Sequence, residues 1–227
     1  MRHRSISSRS ISSCPELQRD DRVDAVLIVR ATKKLRQRLG SASQGGDEPS
    51  TTLLGDWYAT ILPWRPRQLV LLVNEQTLLP VLMPLAPAAS ASSRIGPEIA
   101  AALTAHQATV TVIDGELSQM RDCRFAPTAN RSVVGIMTDF SFLADVYRHS
   151  DPDLNLLELA KRLATTPCSP LYRRHTSPDR ELQAFLRAAR PSSGIKVADG
   201  CRAGRSRPHR WESRIRACLA AWRMCER

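Results

Sequence analysis

The chain reads as an α+β domain, with an antiparallel sheet in its N-terminal half backed by helices from its C-terminal half. Three observations carry that reading. Short apolar or alternating runs of strand length cluster between residues 26 and 83. Links of only a few residues join the later ones, and such links favour antiparallel neighbours. From residue 130 onward the apolar residues instead recur every three or four positions, the period of a helix with one buried face.

Residues 26–30 (VLIVR here spans 26–30) give the first strand, and 32–39 a short helix with Leu35 and Leu39 on one side. The Gly, Ser and Pro content of 40–52 marks a loop. Residues 56–62 alternate, placing Trp57, Ala59 and Ile61 on one face. Residues 68–74 are apolar almost throughout, as in a strand covered on both sides. Pro80 removes a ladder donor from 77–83 and assigns that strand to an edge. The expected sheet is thus a meander of about four strands.

Further on, 97–106 reads as a helix with Pro97 in its first position. The Thr/Val alternation of 108–113 reads as a strand, and 125–128 as a short pairing segment. Val133, Met137, Phe140, Ala144 and Tyr147 then define a helix beginning near Asn130. Leu156, Leu157, Ala160, Leu163 and Ala164 define another, preceded by Asp153 or Asn155. The last opens with Ser177 as cap, Pro178 in the first turn and the acids Asp179 and Glu181, which suit a helix N-terminus.

Composition divides the chain into three parts. Residues 1–25 are Arg- and Ser-rich without periodicity, 26–190 carry the periodic segments, and 191–227 are again rich in Arg, Pro, Ser, Cys and Trp. The net charge of +11 is uneven: +1 on 1–25, +4 on 26–190 and +6 on 191–227. Basicity therefore describes the tail better than the body. Arg outnumbers Lys by 29 to 4, the ratio a GC-rich gene gives. The flanks match what such a gene yields out of frame, so the expected limits of the folded body lie near Val26 or Leu27 and near 190. Trp211, Ile215, Cys218, Leu219, Trp222 and Cys225 nevertheless share one helical face opposite Arg214, Arg216 and Arg223.

No apolar stretch approaches the ~18 residues of a spanning helix, and the first residues lack the apolar run of a secretory signal. Six cysteines without a C-x-x-C pair fit reduced thiols, so a cytoplasmic setting is expected. The five histidines show no metal spacing, and nothing points to a cofactor. Asp151, Asp153 and Asn155 imitate the opening of a calcium loop, but Leu156 and Arg162 stand where glycine and glutamate belong. Cys168 and His175 lack any residue to orient them as nucleophile and base.

Several segments together carry a family resemblance: RATKKL at 30–35, GDWYA at 55–59, LVLLVNEQTLLPVL at 69–82, TANRSVVGIMTDF at 128–140 and DPDLNLLELAKRLATTPCSPL at 151–171. In these the chain resembles a family of small uncharacterised bacterial proteins, over roughly residues 26–190. The resemblance implies boundaries and a fold, and it implies no mechanism. The chain departs from the family pattern at Ile136 and Thr138, where Ser and Asn are more usual.

Two clusters remain as candidate sites. Asn130, Arg131 and Ser132 stand where a helix begins, with Trp57 expected nearby. A helix start offers free N–H groups to an anion, and an arginine there can clamp a carboxylate or phosphate through two bonds. The plainer alternative makes Asn130 a cap, pairs Arg131 with Asp139 or another acid, and gives Gly135 the job of close packing against the sheet. The second cluster, Lys33, Lys34, Arg36 and Arg38 beside Arg30, holds no acid and would suit nucleic acid, although no aromatic residues interleave it. The reading that follows is a non-catalytic binding or interaction module whose partner is left open, a protein ahead of nucleic acid. A nucleic-acid-associated regulator and a small enzyme with a site near Arg131 are the alternatives.

Overall fold

A computed structural model describes residues 25–40, 48–169, 171 and 176–189. The readings made of both flanks, and of His175, lie outside the described residues. Five strands form one sheet: β1 (Val26–Ala31), β2 (Trp57–Leu62), β3 (Leu69–Asn74), β4 (Pro80–Pro84) and β5 (Asp122–Pro127). Their order is β4-β3-β2-β1-β5. The helices are α1 (Lys33–Leu39), α2 (Ala91–Ala105), α3 (Val110–Gln119), α4 (Arg131–Ser150), α5 (Leu156–Ala164) and α6 (Pro178–Ala188).

The expected four-stranded antiparallel meander is corrected to a mixed five-stranded sheet. Short links do make β2, β3 and β4 antiparallel neighbours. The passage from β1 to β2, however, contains α1, and a crossover through a helix returns the chain parallel. β5 then pairs in parallel with the free edge of β1, from Val26 opposite Asp122 to Ala31 opposite Pro127. That pairing takes the edge where another strand could have joined.

Helices cover both faces rather than one. Leu27, Val29, Trp57, Ala59, Ile61, Val70, Leu72, Val81 and Met83 share a face with Leu35 of α1, Ile95, Ile99 and Leu103 of α2, and Leu182 and Leu186 of α6. Tyr58, Leu69, Leu71, Val73 and Leu82 face the other way, against Val133, Met137 and Phe140 of α4 and Leu159 and Leu163 of α5. β3 lies between two strands and two helical layers, and all six of its residues are buried. Its unbroken apolar run follows from that position. β4 is an edge, as Pro80 requires, and α5 packs beside it.

Two readings of the middle segment are overturned. Residues 108–113 do not form a strand: from Val110 they begin α3. An alternating Thr/Val run needs a sheet edge to join, and β5 already occupies the one beside β1. Val110 is left 72% exposed, while Val112 and Ile113 pack on the core. Pro97 is the seventh residue of α2, not the first, because the helix starts at Ala91. The hydrogen bond Pro97 cannot make frees the carbonyl of Ser93, and both residues are exposed, so water can satisfy it.

The passage into β2 is held by side chains standing in for a strand. β2 starts opposite Val29, which leaves the first residues of β1 without ladder partners on that side. Val26 N–H donates to Thr51 Oγ1 at 2.9 Å and Ile28 N–H to Ser50 Oγ at 2.8 Å. Asn74, fully buried at the end of β3, donates to the Leu54 carbonyl at 2.8 Å and accepts from Thr77 N–H at 2.9 Å. It ties this loop to the turn before β4. In that turn Leu78 adopts φ 58°, a conformation disfavoured for leucine, and its buried side chain sits in the α4 layer.

Glu116 of α3 completes the loop. Its carboxylate is buried and accepts from Leu53 N–H at 3.0 Å and Leu54 N–H at 2.7 Å. Burial pushes its pKa above the ordinary value, and the two N–H donors pull it partly back. The folded protein therefore keeps this proton to higher pH than the unfolded chain does. Its contribution to stability is greatest below about pH 4.3 and declines as pH rises through the raised folded value. Glu116→Gln removes that decline and costs about 1–3 kcal/mol by leaving an N–H unsatisfied. Urea unfolding across about pH 4 to 7 checks it: the stability advantage of the native chain over the variant should shrink with rising pH. An advantage that grows with pH would contradict this.

Candidate functional site

α4 begins on the sheet and is fastened there by one node. Asn130 N–H donates to the Tyr58 hydroxyl at 3.0 Å, and Asn130 Nδ2 donates to Glu75 Oε1 at 3.0 Å. The Tyr58 hydroxyl in turn donates to Glu75 Oε1 at 3.4 Å. The remaining polar atom of the Asn130 side chain, Oδ1, accepts from Ser132 N–H at 3.0 Å and caps the helix. At the far end Arg148 sits 4.6 Å from the centroid of the Trp64 ring. α4 therefore runs along β2 from its beginning to just past its end.

Tyr58 is buried, and burial raises its phenol pKa above the ordinary value. The Asn130 N–H opposes that shift and Glu75 adds to it. The hydroxyl thus stays protonated and can donate to Glu75 while accepting from Asn130. Beside it Arg30 Nε contacts Asp56 Oδ2 at 2.6 Å, and Asp56 Oδ1 accepts from Ser50 N–H at 3.0 Å. Burial lowers the Arg30 pKa, but the bond to Asp56 and the charges of Asp56, Tyr58 and Glu75 leave it raised. A half-buried cation, two carboxylates and a phenol thus join β1, β2 and the β3–β4 turn to α4.

The node separates the predicted residues by role. Asn130 is engaged on every side. Arg131 and Ser132 are exposed, and Arg131 has no ion pair among the described residues. The pairing of Arg131 with Asp139 does not form. Trp57 is fully buried on the opposite face of the sheet, in the layer of α1, α2 and α6, so the structure does not bring it to Arg131. Strand alternation separates it from Tyr58. Tyr58 and Glu75 are what sequence reasoning missed here; the adjacent aromatic of the alternating strand was the available signal for Tyr58.

The second cluster occupies α1. Lys33, Lys34 and Arg38 are exposed, Arg36 is half-buried, and Leu35 anchors the helix to the core. Arg36 and Arg38 fall in the last turn, where a cation suits the helix dipole; no acid balances Lys33 and Lys34 in the first. Among the described residues no group of three metal-ligating side chains forms. The thiols of Cys123 and Cys168 are pushed up to about 12 by burial, which leaves them unreactive near neutral pH.

A family model for a domain of unknown function (DUF6933) matches residues 28–181. The chain belongs to this family. The matched span of the DUF6933 domain runs from within β1 into α6, and it includes Arg30, Tyr58, Glu75 and Asn130. No curated protein and no solved structure matches the chain significantly. No described helix is long and apolar enough to cross a membrane.

Ile136 and Thr138, the two departures noted in the sequence, take different positions in the DUF6933 domain. Ile136 is buried against the sheet, whereas Thr138 is exposed and donates to the Val134 carbonyl at 3.1 Å. Gly135 does not pack against the sheet as expected. It is exposed, and a Cβ added there would meet nothing within 4 Å. Gly135→Ala should therefore stabilise the protein by about 0.4–1 kcal/mol, through the helix propensity of alanine and a less flexible unfolded chain. Thermal or urea unfolding reads this directly, and a destabilised variant would mean that the residue faces a contact.

Proposed function

We propose that the DUF6933 domain is a non-catalytic binding module of the cytoplasm, and that the exposed first turn of α4 is its contact surface. One observation supports this above others: Arg131 has no ion pair among the described residues, although its neighbour Asn130 is fixed by three hydrogen bonds to the sheet, the β3–β4 turn and the cap. A cation held on a rigid support with no partner among the described residues is suited to an anionic group on something else. Ser132 adds a hydroxyl beside it. The partner that fits is a protein presenting a carboxylate or phosphate.

A second reading assigns nucleic-acid contact to α1, through Lys33, Lys34, Arg36 and Arg38. Its support is that Lys33, Lys34 and Arg38 are exposed and have no ion pair among the described residues. Such contact weakens steeply with added salt, which separates it from a protein interface.

Arg131→Ala tests the first reading. The unfolding free energy should stay within about 0.5 kcal/mol of the native value, as for a surface residue outside the fold's fastenings. In an amide NMR titration with inorganic phosphate, the shifts should centre on Arg131, Ser132 and Val133 and vanish in the variant. Loss of about 1 kcal/mol or more, or shifts that persist without Arg131, would return the residue to architecture.

A further inference from the structure

We propose that the cleft at the β2–β3 hairpin is a second binding site, for a phosphate-bearing anion. It shares no residue with the α4 surface. The cleft has a volume of about 1060 Å³ and is lined by Arg38, Trp64, Arg65, Arg67 and Gln68 together with proline and small apolar residues. None of its ten lining residues is acidic. A smaller cleft of about 470 Å³ touches the same hairpin and adds Arg148, again with no acid in its lining.

Arginine is abundant throughout this chain, so residue type alone argues nothing. The absence of neutralising partners does. Arg38, Arg65 and Arg67 are all exposed, and none has an ion pair or hydrogen bond among the described residues. Some arginines elsewhere are paired, Arg30 with Asp56, Arg124 with Asp122 and Glu48, and Arg148 with Asp145, and others such as Arg131 are not; what sets Arg38, Arg65 and Arg67 apart is that they line one concavity. Arg94 spends its guanidinium on the carbonyls of Pro84, Leu85 and Pro87. Three cations around one concavity, with no acid pairing them among the described residues, repel one another, and an anion seated there relieves that repulsion.

The wall behind them is firm. Trp64 is buried to 8% exposure, lines both clefts and carries Arg148 over its ring. The indole N–H of Trp64 and Nε of Arg148 are buried donors without a partner. Guanidinium groups grip phosphate oxygens through paired bonds, and the cleft is large enough for a nucleotide-sized group. The shared chemistry is a phosphate anion carrying at least two charges. A compact triphosphate and a phosphodiester strand are its two sources.

The test uses the full chain, with inorganic triphosphate in calorimetry and a short fluorescein-labelled oligothymidine in anisotropy. The variants are Arg65→Glu with Arg67→Glu, Arg38→Glu alone, and Arg187→Glu on the exposed side of α6 as the control; near-UV circular dichroism confirms that each is folded. The charge reversals at the cleft should weaken the bound probe at least about tenfold, the equivalent of one charge-assisted hydrogen bond. Arg187→Glu should leave it unchanged. If the strand is the source, the dependence of log affinity on log salt should lose about 1.4 of its slope when two phosphate contacts are removed. If triphosphate binds and the strand does not, the compact source is the one. Binding of neither probe, or binding indifferent to Arg38, Arg65 and Arg67, would overturn the proposal; the α4 reading is judged separately, by the phosphate shifts at Arg131 and their loss in Arg131→Ala.

Discussion

The Tyr58 hydroxyl has to serve two groups that come from distant parts of the chain. It receives the Asn130 N–H, 72 residues away in sequence, and reaches Glu75 on the β3–β4 turn, 17 residues away. The phenol is buried, so either group left unmatched would carry a desolvation cost of about 1–3 kcal/mol. That requirement fixes where α4 begins. Once its first residue is placed, the helical period carries Val133, Met137, Phe140 and Ala144 onto β2 and β3, and the last turn arrives at Trp64. The position of Arg131 and the support behind the hairpin cleft both depend on that one placement.

Much of the architecture could be read from local pattern. The unbroken run at 69–74 announced a strand covered on both sides, and β3 is one. Pro80 announced an edge. The spacing of apolar residues after Asn130 gave both the length of α4 and its buried face, and Asn130 caps it. What escaped was set by groups far apart in sequence. The parallel placement of β1 beside β2 and β5 depends on a crossover and on a strand nearly a hundred residues later. The Thr/Val run of α3 joins neither open edge of the sheet; Val112 and Ile113 pack on the core instead, and its β-branched residues form a helix against their propensity. Glu116 was equally hidden, because its partners are two backbone N–H groups 62 and 63 residues away.

The candidate site was legible only in part, and for the same reason. Asn130, Arg131 and Ser132 are adjacent in sequence, so their clustering was visible, but the division of labour among them was not. It is Tyr58 and Glu75 that commit Asn130 to holding the helix, while Arg131 and Ser132 remain exposed. Trp57 was expected near Arg131, but strand alternation puts it on the face opposite Tyr58 and α4. The unpaired arginines at 65 and 67 gave no signal against an arginine-rich background. Their significance comes from sharing a concavity with Arg38, which the β1–α1 crossover delivers from thirty positions earlier.

The most direct measurement is amide hydrogen exchange at the start of α4, compared between the native protein and Tyr58→Phe. If the phenol pins the helix, the Asn130 amide is protected in the native protein and exchanges faster once the hydroxyl is gone. The Arg131 amide, which no described bond holds, exchanges readily in both. Unchanged protection of Asn130 in Tyr58→Phe would contradict the account, because something other than the hydroxyl would then be fixing α4 to the sheet.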